Sequence, residues 1–73
     1  MVRYYPNPVN DLLHLELPMG KNNISVYDLS GRLIETVIAS DSYLNYDMGH
    51  FTSGLYLFQV MNDGKIKRFK VVK

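Results

Sequence analysis

Short, evenly spaced turn signals constrain the fold of this chain more than any other feature of its sequence. Clusters of Pro, Gly, Asn, Asp and Ser recur every ten to thirteen residues, and short apolar runs separate them. The clusters are Pro6–Pro8, Pro18–Gly20, Ser30-Gly31, Ser40–Ser42, Ser53-Gly54 and Asp63-Gly64. Because the runs between them are rich in Ile, Val, Tyr and Leu, the pattern predicts an all-β sandwich or barrel and argues against a helical domain.

Alternation of apolar and polar residues places individual strands within this pattern. In Leu12–Leu17 the leucines at every second position face a core, whereas His14 and Glu16 face solvent as a surface pair. The dipeptide Asp63-Gly64 predicts a type I′ hairpin turn, which needs positive φ at both central residues. The other predicted strands are Asn23–Leu29, Arg32–Ala39, Tyr43–Asp47, Leu55–Asn62 and Lys65–Val72. We therefore expect six or seven antiparallel strands in two packed sheets.

The last predicted strand breaks strict alternation. Ile66 belongs to one face of Lys65–Val72, whereas Phe69 and Val71 belong to the other. We interpret the break as a β-bulge near Lys67-Arg68.

Strands at both ends of the chain leave unpaired sheet edges. The segment before Pro6 is expected to be weakly anchored. This combination allows a homodimer or an exchange of strands between copies of the isolated domain.

Length and composition indicate one folded domain over residues 1–73. An apolar content of 47% is too high for a disordered chain, and the absence of cysteine excludes a disulfide or a Cys-bound zinc. The net charge of +1 is unevenly spread, because the basic residues near the C-terminus have no acid among them. These residues are Lys65, Lys67, Arg68, Lys70 and Lys73. They either keep an edge strand from pairing with another strand or form a docking strip for an acidic partner. Five charges are a short footprint for nucleic acid, so no nucleic-acid partner is expected.

No residue pattern points to an enzyme, a metal site or a cofactor. His14 and His50 lie at no metal-ligand spacing, the five glycines occupy turns, and the seven carboxylates are scattered. No stretch approaches the ~20 apolar residues of a membrane span, so membrane insertion is not expected. Met1-Val2-Arg3 opens without the apolar region of a signal peptide, so no signal peptide is expected in this stretch.

Four stretches of the chain together form an ordered set of motifs. They are Tyr4–Asp11, Val26–Arg32, Phe51–Phe58, and Gly64-Lys65 with Phe69–Lys73. This set resembles the C-terminal sorting domain of the type IX secretion system, the Por secretion tail of Bacteroidetes. The resemblance implies an immunoglobulin-like sandwich whose motif positions are Pro6, Asn7, Pro8, Gly31, Gly54, Tyr56, Lys70 and Lys73. Pro6 and Pro8 fix φ and make a stiff entry into the sandwich.

The resemblance implies a detachable address excised from a larger secreted parent protein. The outer-membrane translocon would recognise the domain, and a sortase-like peptidase would usually remove it by a cut upstream of Tyr5–Pro8. Before these steps the protein would be in the periplasm, in transit to the cell surface or the medium. Lys70 and Lys73 are expected to face water, where they could contact the machinery.

An adhesion or carbohydrate-binding module is the alternative. The same small sandwich hosts many functions, and six tyrosines could supply a sugar-binding face.

Overall fold

A computed structural model describes residues 2–73, which form seven β-strands and no helix. The strands are β1 (Arg3–Tyr5), β2 (Leu12–Glu16), β3 (Asn22–Tyr27), β4 (Leu33–Ala39), β5 (Tyr43–Asp47), β6 (Leu55–Asn62) and β7 (Lys65–Val72). The bounds of β2 to β7 agree with the predicted runs to within two residues. Over this described range no helix is long and apolar enough to cross a membrane.

The strands pair antiparallel in two sheets. One sheet has the order β1-β2-β5 and the other has the order β4-β3-β6-β7. The connections after β2, β4 and β5 each carry the chain from one sheet to the other. This arrangement confirms the predicted all-β, immunoglobulin-like sandwich of six to seven strands.

Alternate residues of both sheets fill the space between them. Leu13 and Leu15 of β2 and Ile24 and Val26 of β3 are fully buried, as the alternation predicts. The other buried apolar residues are Val9, Leu17, Tyr46, Met48, Tyr56, Phe58, Val60, Phe69 and Val71. Burial of such a side chain stabilises the fold by about 1.5–3 kcal/mol, so a chain of this length depends on every member of the set.

Six aromatic rings form a continuous series of contacts through this core, which we call the aromatic chain. Its members, in order of contact, are Tyr4, Phe69, Phe58, Tyr46, Phe51 and Tyr56. Tyr4 of β1 stacks on Phe69 of β7, with ring centroids 4.2 Å apart. Tyr46 of β5 meets Phe58 of β6 edge to face at 5.6 Å. Both pairs join one sheet to the other, and each contributes about 0.5–1.5 kcal/mol beyond its buried area.

Residues 3–5 are anchored, so the expectation that the segment before Pro6 is weakly held is wrong for them, and Met1 lies outside the described residues. Tyr4 pairs with Leu15 in the β1–β2 ladder, and its ring lies on Phe69. Alternation within three residues could not reveal either partner, because both lie far along the chain.

The predicted β-bulge near Lys67-Arg68 is also wrong. The β6–β7 register is unbroken over the whole hairpin, and Ile66 lies 48% exposed on the outer face of the sheet. A register shift occurs instead in the β3–β4 pairing, between Val26 and Tyr27.

Two asparagines organise the end of the sandwich that carries the Asp63-Gly64 turn. Asn22 is fully buried, and its Nδ2 donates to the carbonyl oxygens of Pro18 and Gly20 at 3.0 and 3.1 Å. Asn62 Nδ2 in turn donates to Asn22 Oδ1 at 3.0 Å. This end, which we call the hairpin end, comprises residues 17–21, 40–42 and 63–64.

The Asp63-Gly64 turn has the predicted positive φ at both residues, 50° and 76°. We expect Gly64→Val to lower the free energy of unfolding by about 1 kcal/mol or more, because a β-branched residue resists this conformation. No atom lies within 4 Å of a Cβ placed there, so the cost is conformational and not steric. Urea denaturation measures it. Asp63→Asn is the control and should be nearly neutral, since Asn tolerates positive φ; an unchanged Gly64→Val variant would contradict the argument.

Candidate functional site

Three connections and the C-terminal residue meet at one end of the sandwich, which we call the motif end. It comprises residues 6–11, 28–32, 48–54 and Lys73. The antiparallel topology brings them together, because β1, β3, β5 and β7 all end there. Six of the residues singled out in the sequence lie in it: Pro6, Asn7, Pro8, Gly31, Gly54 and Lys73. Tyr56 and Lys70 belong to the adjoining strands β6 and β7.

Asn7 fastens the first connection to the last strand. Its Oδ1 accepts from the backbone N–H of Val72 at 2.9 Å, and its Nδ2 donates to the carbonyl of Lys70 at 3.4 Å. The N–H of Val9 donates to the Val72 carbonyl at 2.8 Å, and the Val9 side chain is buried. Residues 7–9 therefore cover the C-terminal part of the free edge of β7.

Asp28 holds the connection between β3 and β4. Its Oδ1 accepts from the backbone N–H groups of Ser30 and Arg32 at 3.0 and 2.9 Å. Gly31 supplies the positive φ of 87° that this turn requires. The backbone hydrogen bond from Arg32, helped by its side chain and by Ser30, lowers the pKa of Asp28 below its ordinary 3.8.

Lys73 is a structural fastener, contrary to the expectation that its side chain faces water. Its Nζ donates to the carbonyl oxygens of Phe51 and Gly49 at 2.8 and 3.4 Å. Its backbone exchanges two hydrogen bonds with Gly54, at 2.8 and 3.1 Å, which extends the β6–β7 pairing by one residue. The ammonium group thus stabilises the 48–54 connection of its own chain.

Tyr56 holds the same connection from the inside. The ring is buried, and its hydroxyl donates to the Thr52 carbonyl at 2.6 Å. Its edge contact with Phe51, at a centroid distance of 4.9 Å, closes the aromatic chain. A tyrosine at the start of a strand that bonds a backbone group a few residues upstream is the tyrosine corner of β-sandwiches.

A row of side chains crosses the outer face of the four-stranded sheet beside the motif end. The register aligns Lys70 with Leu57, Leu57 with Tyr27, and Tyr27 with Leu33. Lys70 is exposed, and Leu33 is 53% exposed. Only the lysine of this row was among the predicted site residues. Its apolar members become apparent when the outward-facing positions of each strand are projected onto the sheet.

A shallow groove lies next to this row, between the second and third connections of the motif end. Asp28, Leu29 and Ser30 line one side, and residues 53–55 line the other. Leu29 is 69% exposed. Groove and row together carry exposed apolar side chains, Leu29 and Leu33, among polar ones, with a cation, Lys70, at the end of the row.

The predicted pair of His14 and Glu16 does not form. The His14 ring contacts the Asn45 Oδ1 atom at 2.6 Å and the Tyr43 hydroxyl at 3.0 Å, whereas Glu16 lies 3.8 Å from Arg3. Within residues 2–73 no group of three His, Cys, Asp or Glu side chains is placed to hold a metal ion.

The Asn7 bonds give a first test of the motif end. We expect Asn7→Ala to lower the free energy of unfolding by about 1 kcal/mol, because two hydrogen bonds to β7 are lost. Thermal and urea unfolding measure the change. Asn10→Ala is the matched control, since Asn10 is exposed and makes no side-chain hydrogen bond to another described residue. Equal stability of the two variants would contradict a fastening role for Asn7.

The Asp28 turn gives a pH-dependent test. A folded-state pKa below the unfolded value stabilises the fold above about pH 4, and the contribution is lost as the pH falls through the folded-state pKa. The melting temperature of the parent protein should therefore exceed that of Asp28→Asn at pH 7, and the difference should shrink by pH 2.5. Asp41→Asn, the same change at an exposed carboxylate that makes no side-chain hydrogen bond to another described residue, is the matched control. A difference independent of pH would contradict the assignment.

The described chain matches a known protein family. The family model described as "Secretion system C-terminal sorting domain" matches residues 3–73. The match therefore includes all three connections of the motif end and the whole of every strand. A search of curated proteins finds no match.

Proposed function

Because the chain belongs to the family of secretion system C-terminal sorting domains, we propose that it is a non-catalytic signal that directs an attached cargo protein across the outer membrane. The family is that of type IX secretion, and membership means that the protein is exported. The family match over residues 3–73 carries the proposal. In this proposal, the type IX translocon recognises residues 1–73 as one domain of a larger secreted protein. That protein passes through the periplasm to the cell surface.

The translocon reads the folded motif end and not a linear peptide. Three motif side chains, those of Asn7, Tyr56 and Lys73, are already bonded to the backbone of this chain. A partner could bind them as a linear peptide only by breaking those bonds. The groups free for a partner are Leu29 in the groove and the row from Lys70 to Leu33.

Removal by a sortase-like peptidase occurs upstream of β1. Proteases act on extended, accessible chain, and Tyr4 and Tyr5 are paired with β2. Pro6 and Pro8 follow directly. The first cleavable bonds therefore precede Arg3.

Fusion of residues 1–73 to the C-terminus of an exported reporter tests the function. The reporter should reach the surface of a type IX-competent bacterium and stay periplasmic in a strain lacking the translocon. Deletion of Phe69–Lys73 should abolish display, because it removes the buried Phe69 and Val71 at about 1.5–3 kcal/mol each. A full-length fusion that remains periplasmic in the competent strain would refute the sorting function.

Single lysine variants separate recognition from folding. Lys70→Gln should reduce display while the melting temperature stays unchanged, since an exposed charge contributes little to stability. Lys73→Gln should lower the melting temperature, because the ammonium group bonds two carbonyls. Lys67→Gln, the same change towards the hairpin end of β7, should leave both display and stability unchanged. Full display by a folded Lys70→Gln variant would mean that the basic residues of β7 keep this edge strand from pairing and are not recognised by the translocon.

One observation favours carbohydrate binding as a second candidate function. Tyr5, His14 and Tyr43 lie side by side on the outer face of the three-stranded sheet, with centroids 5.3 and 6.1 Å apart, and both tyrosines are more than 40% exposed. Exposed aromatic rings of this kind can stack on sugars. Micromolar binding on a glycan array that is lost in Tyr43→Ala would support this function, and a blank array would reject it.

A further inference from the structure

Strand β4 is a sheet edge that carries neither a cation nor a proline. It pairs with β3 alone, and over residues 35–39, where that pairing is regular, alternate N–H and C=O groups point away from the sheet. Its sequence, Leu33 to Ala39, contains no Lys, Arg or Pro, and Glu35 is its sole charge. The Glu35 carboxylate accepts a hydrogen bond from the Tyr46 hydroxyl, so this charge is engaged across the sandwich. Ile34 and Ile38 are 44% and 59% exposed.

The other three edges of the two sheets are blocked. Four cations lie along β7, and residues 7–9 cover its C-terminal part. β1 is three residues long and is followed by Pro6 and Pro8. β5 has five residues and ends on Asp47. Lysines, prolines and short length keep edge strands from pairing, and β4 has none of them. Its protection is limited to the inward-facing charge of Glu35 and the register shift at Ile34.

We propose that β4 pairs antiparallel with β4 of a second copy of this chain, which gives a two-fold dimer with a continuous eight-stranded sheet. Two-fold pairing about Thr36 places Ile34 of each copy opposite Ile38 of the other. It also sets Glu35 opposite Val37, so no charge faces a like charge across the junction. The strand is therefore complementary to itself, which is what an interface between identical surfaces requires.

The two motif ends point in opposite directions in this dimer. Lys70 and the β7 edge lie three strands away from the junction, whereas Leu33, at the other end of the row, lies in β4 itself on the outer face of the sheet. The inference therefore stands independently of the proposed function, and a dimer leaves each motif end accessible. A single strand pair buries much less than the roughly 1,600 Å² of a standard interface, so the dimer should dissociate in the high-micromolar to millimolar range.

Charge exchange at Thr36 tests the dimer by analytical ultracentrifugation. The parent chain should show a monomer–dimer equilibrium up to about 1 mM. Thr36→Lys and Thr36→Glu should each raise the dimer dissociation constant by about fivefold or more, because like charges then face each other. An equimolar mixture of the two variants should restore dimerisation. Thr36 is exposed, and circular dichroism melts confirm that both variants fold. Asn10→Lys, with the same charge change at the motif end, should dimerise like the parent.

A cysteine variant tests the register independently, since the chain contains no cysteine of its own. Thr36→Cys should form a disulfide-linked dimer under mild oxidation, because residues directly opposite in an antiparallel pair have Cα atoms within disulfide range. Asn10→Cys should not. A parent chain that stays monomeric at about 1 mM, or a dimer that persists unchanged in both charge variants, would overturn the proposal. The second result would assign the dimer to the exchange of another strand.

Discussion

The stack of Phe69 between Tyr4 and Phe58 is the contact on which the rest of this structure depends. It joins β7 to β1 of the opposite sheet and to its own neighbour β6. Within its described residues the chain has no disulfide and no metal cluster, so the two sheets are held together by packed side chains and by hydrogen bonds such as that from the Val9 N–H to the Val72 carbonyl. Asn7, two residues after β1, bonds Val72 near the end of the strand that this stack holds against β1. The aromatic chain therefore packs together the strands that carry the first connection and the C-terminal strand of the motif end.

Most of the fold could be predicted because it obeys the period of two along each strand. Leu13, Leu15, Ile24 and Val26 are buried where alternation places them, and the Asp63-Gly64 turn is where its φ requirement predicts it. The predicted bulge in β7 is wrong because it assumed that every apolar residue of the strand faces the core. Ile66 is an apolar residue on the outer face, and about half of a protein's surface is apolar, so no bulge is needed to explain it.

The candidate site was predicted as a set of residues but not as a structure. Six of the eight motif positions lie at one end of the molecule, yet the sequence offered no means of knowing that Asn7 bonds residues more than sixty positions away. Lys73 shows the same limit. A terminal lysine reads as a solvated charge, and only the fold shows two carbonyl oxygens within its reach. Asp28 was within a motif, but its role required the turn geometry that places two N–H groups at one carboxylate oxygen.

Several motif residues form hydrogen bonds within the domain, and this determines when a partner can recognise a sorting signal of this kind. A partner can bind a linear sequence motif as soon as the motif is synthesised. In the proposed function, the motif end exists only after residues 6–9 and the last strand have met, so the address becomes readable when the domain has folded. The exposed groups that remain, Leu29 and the row from Lys70 to Leu33, come from four different strands and one turn. Their spacing is set by the sheet register, so an unfolded chain presents none of it to a partner. A signal built in this way couples recognition to folding through the same hydrogen bonds that close the sandwich.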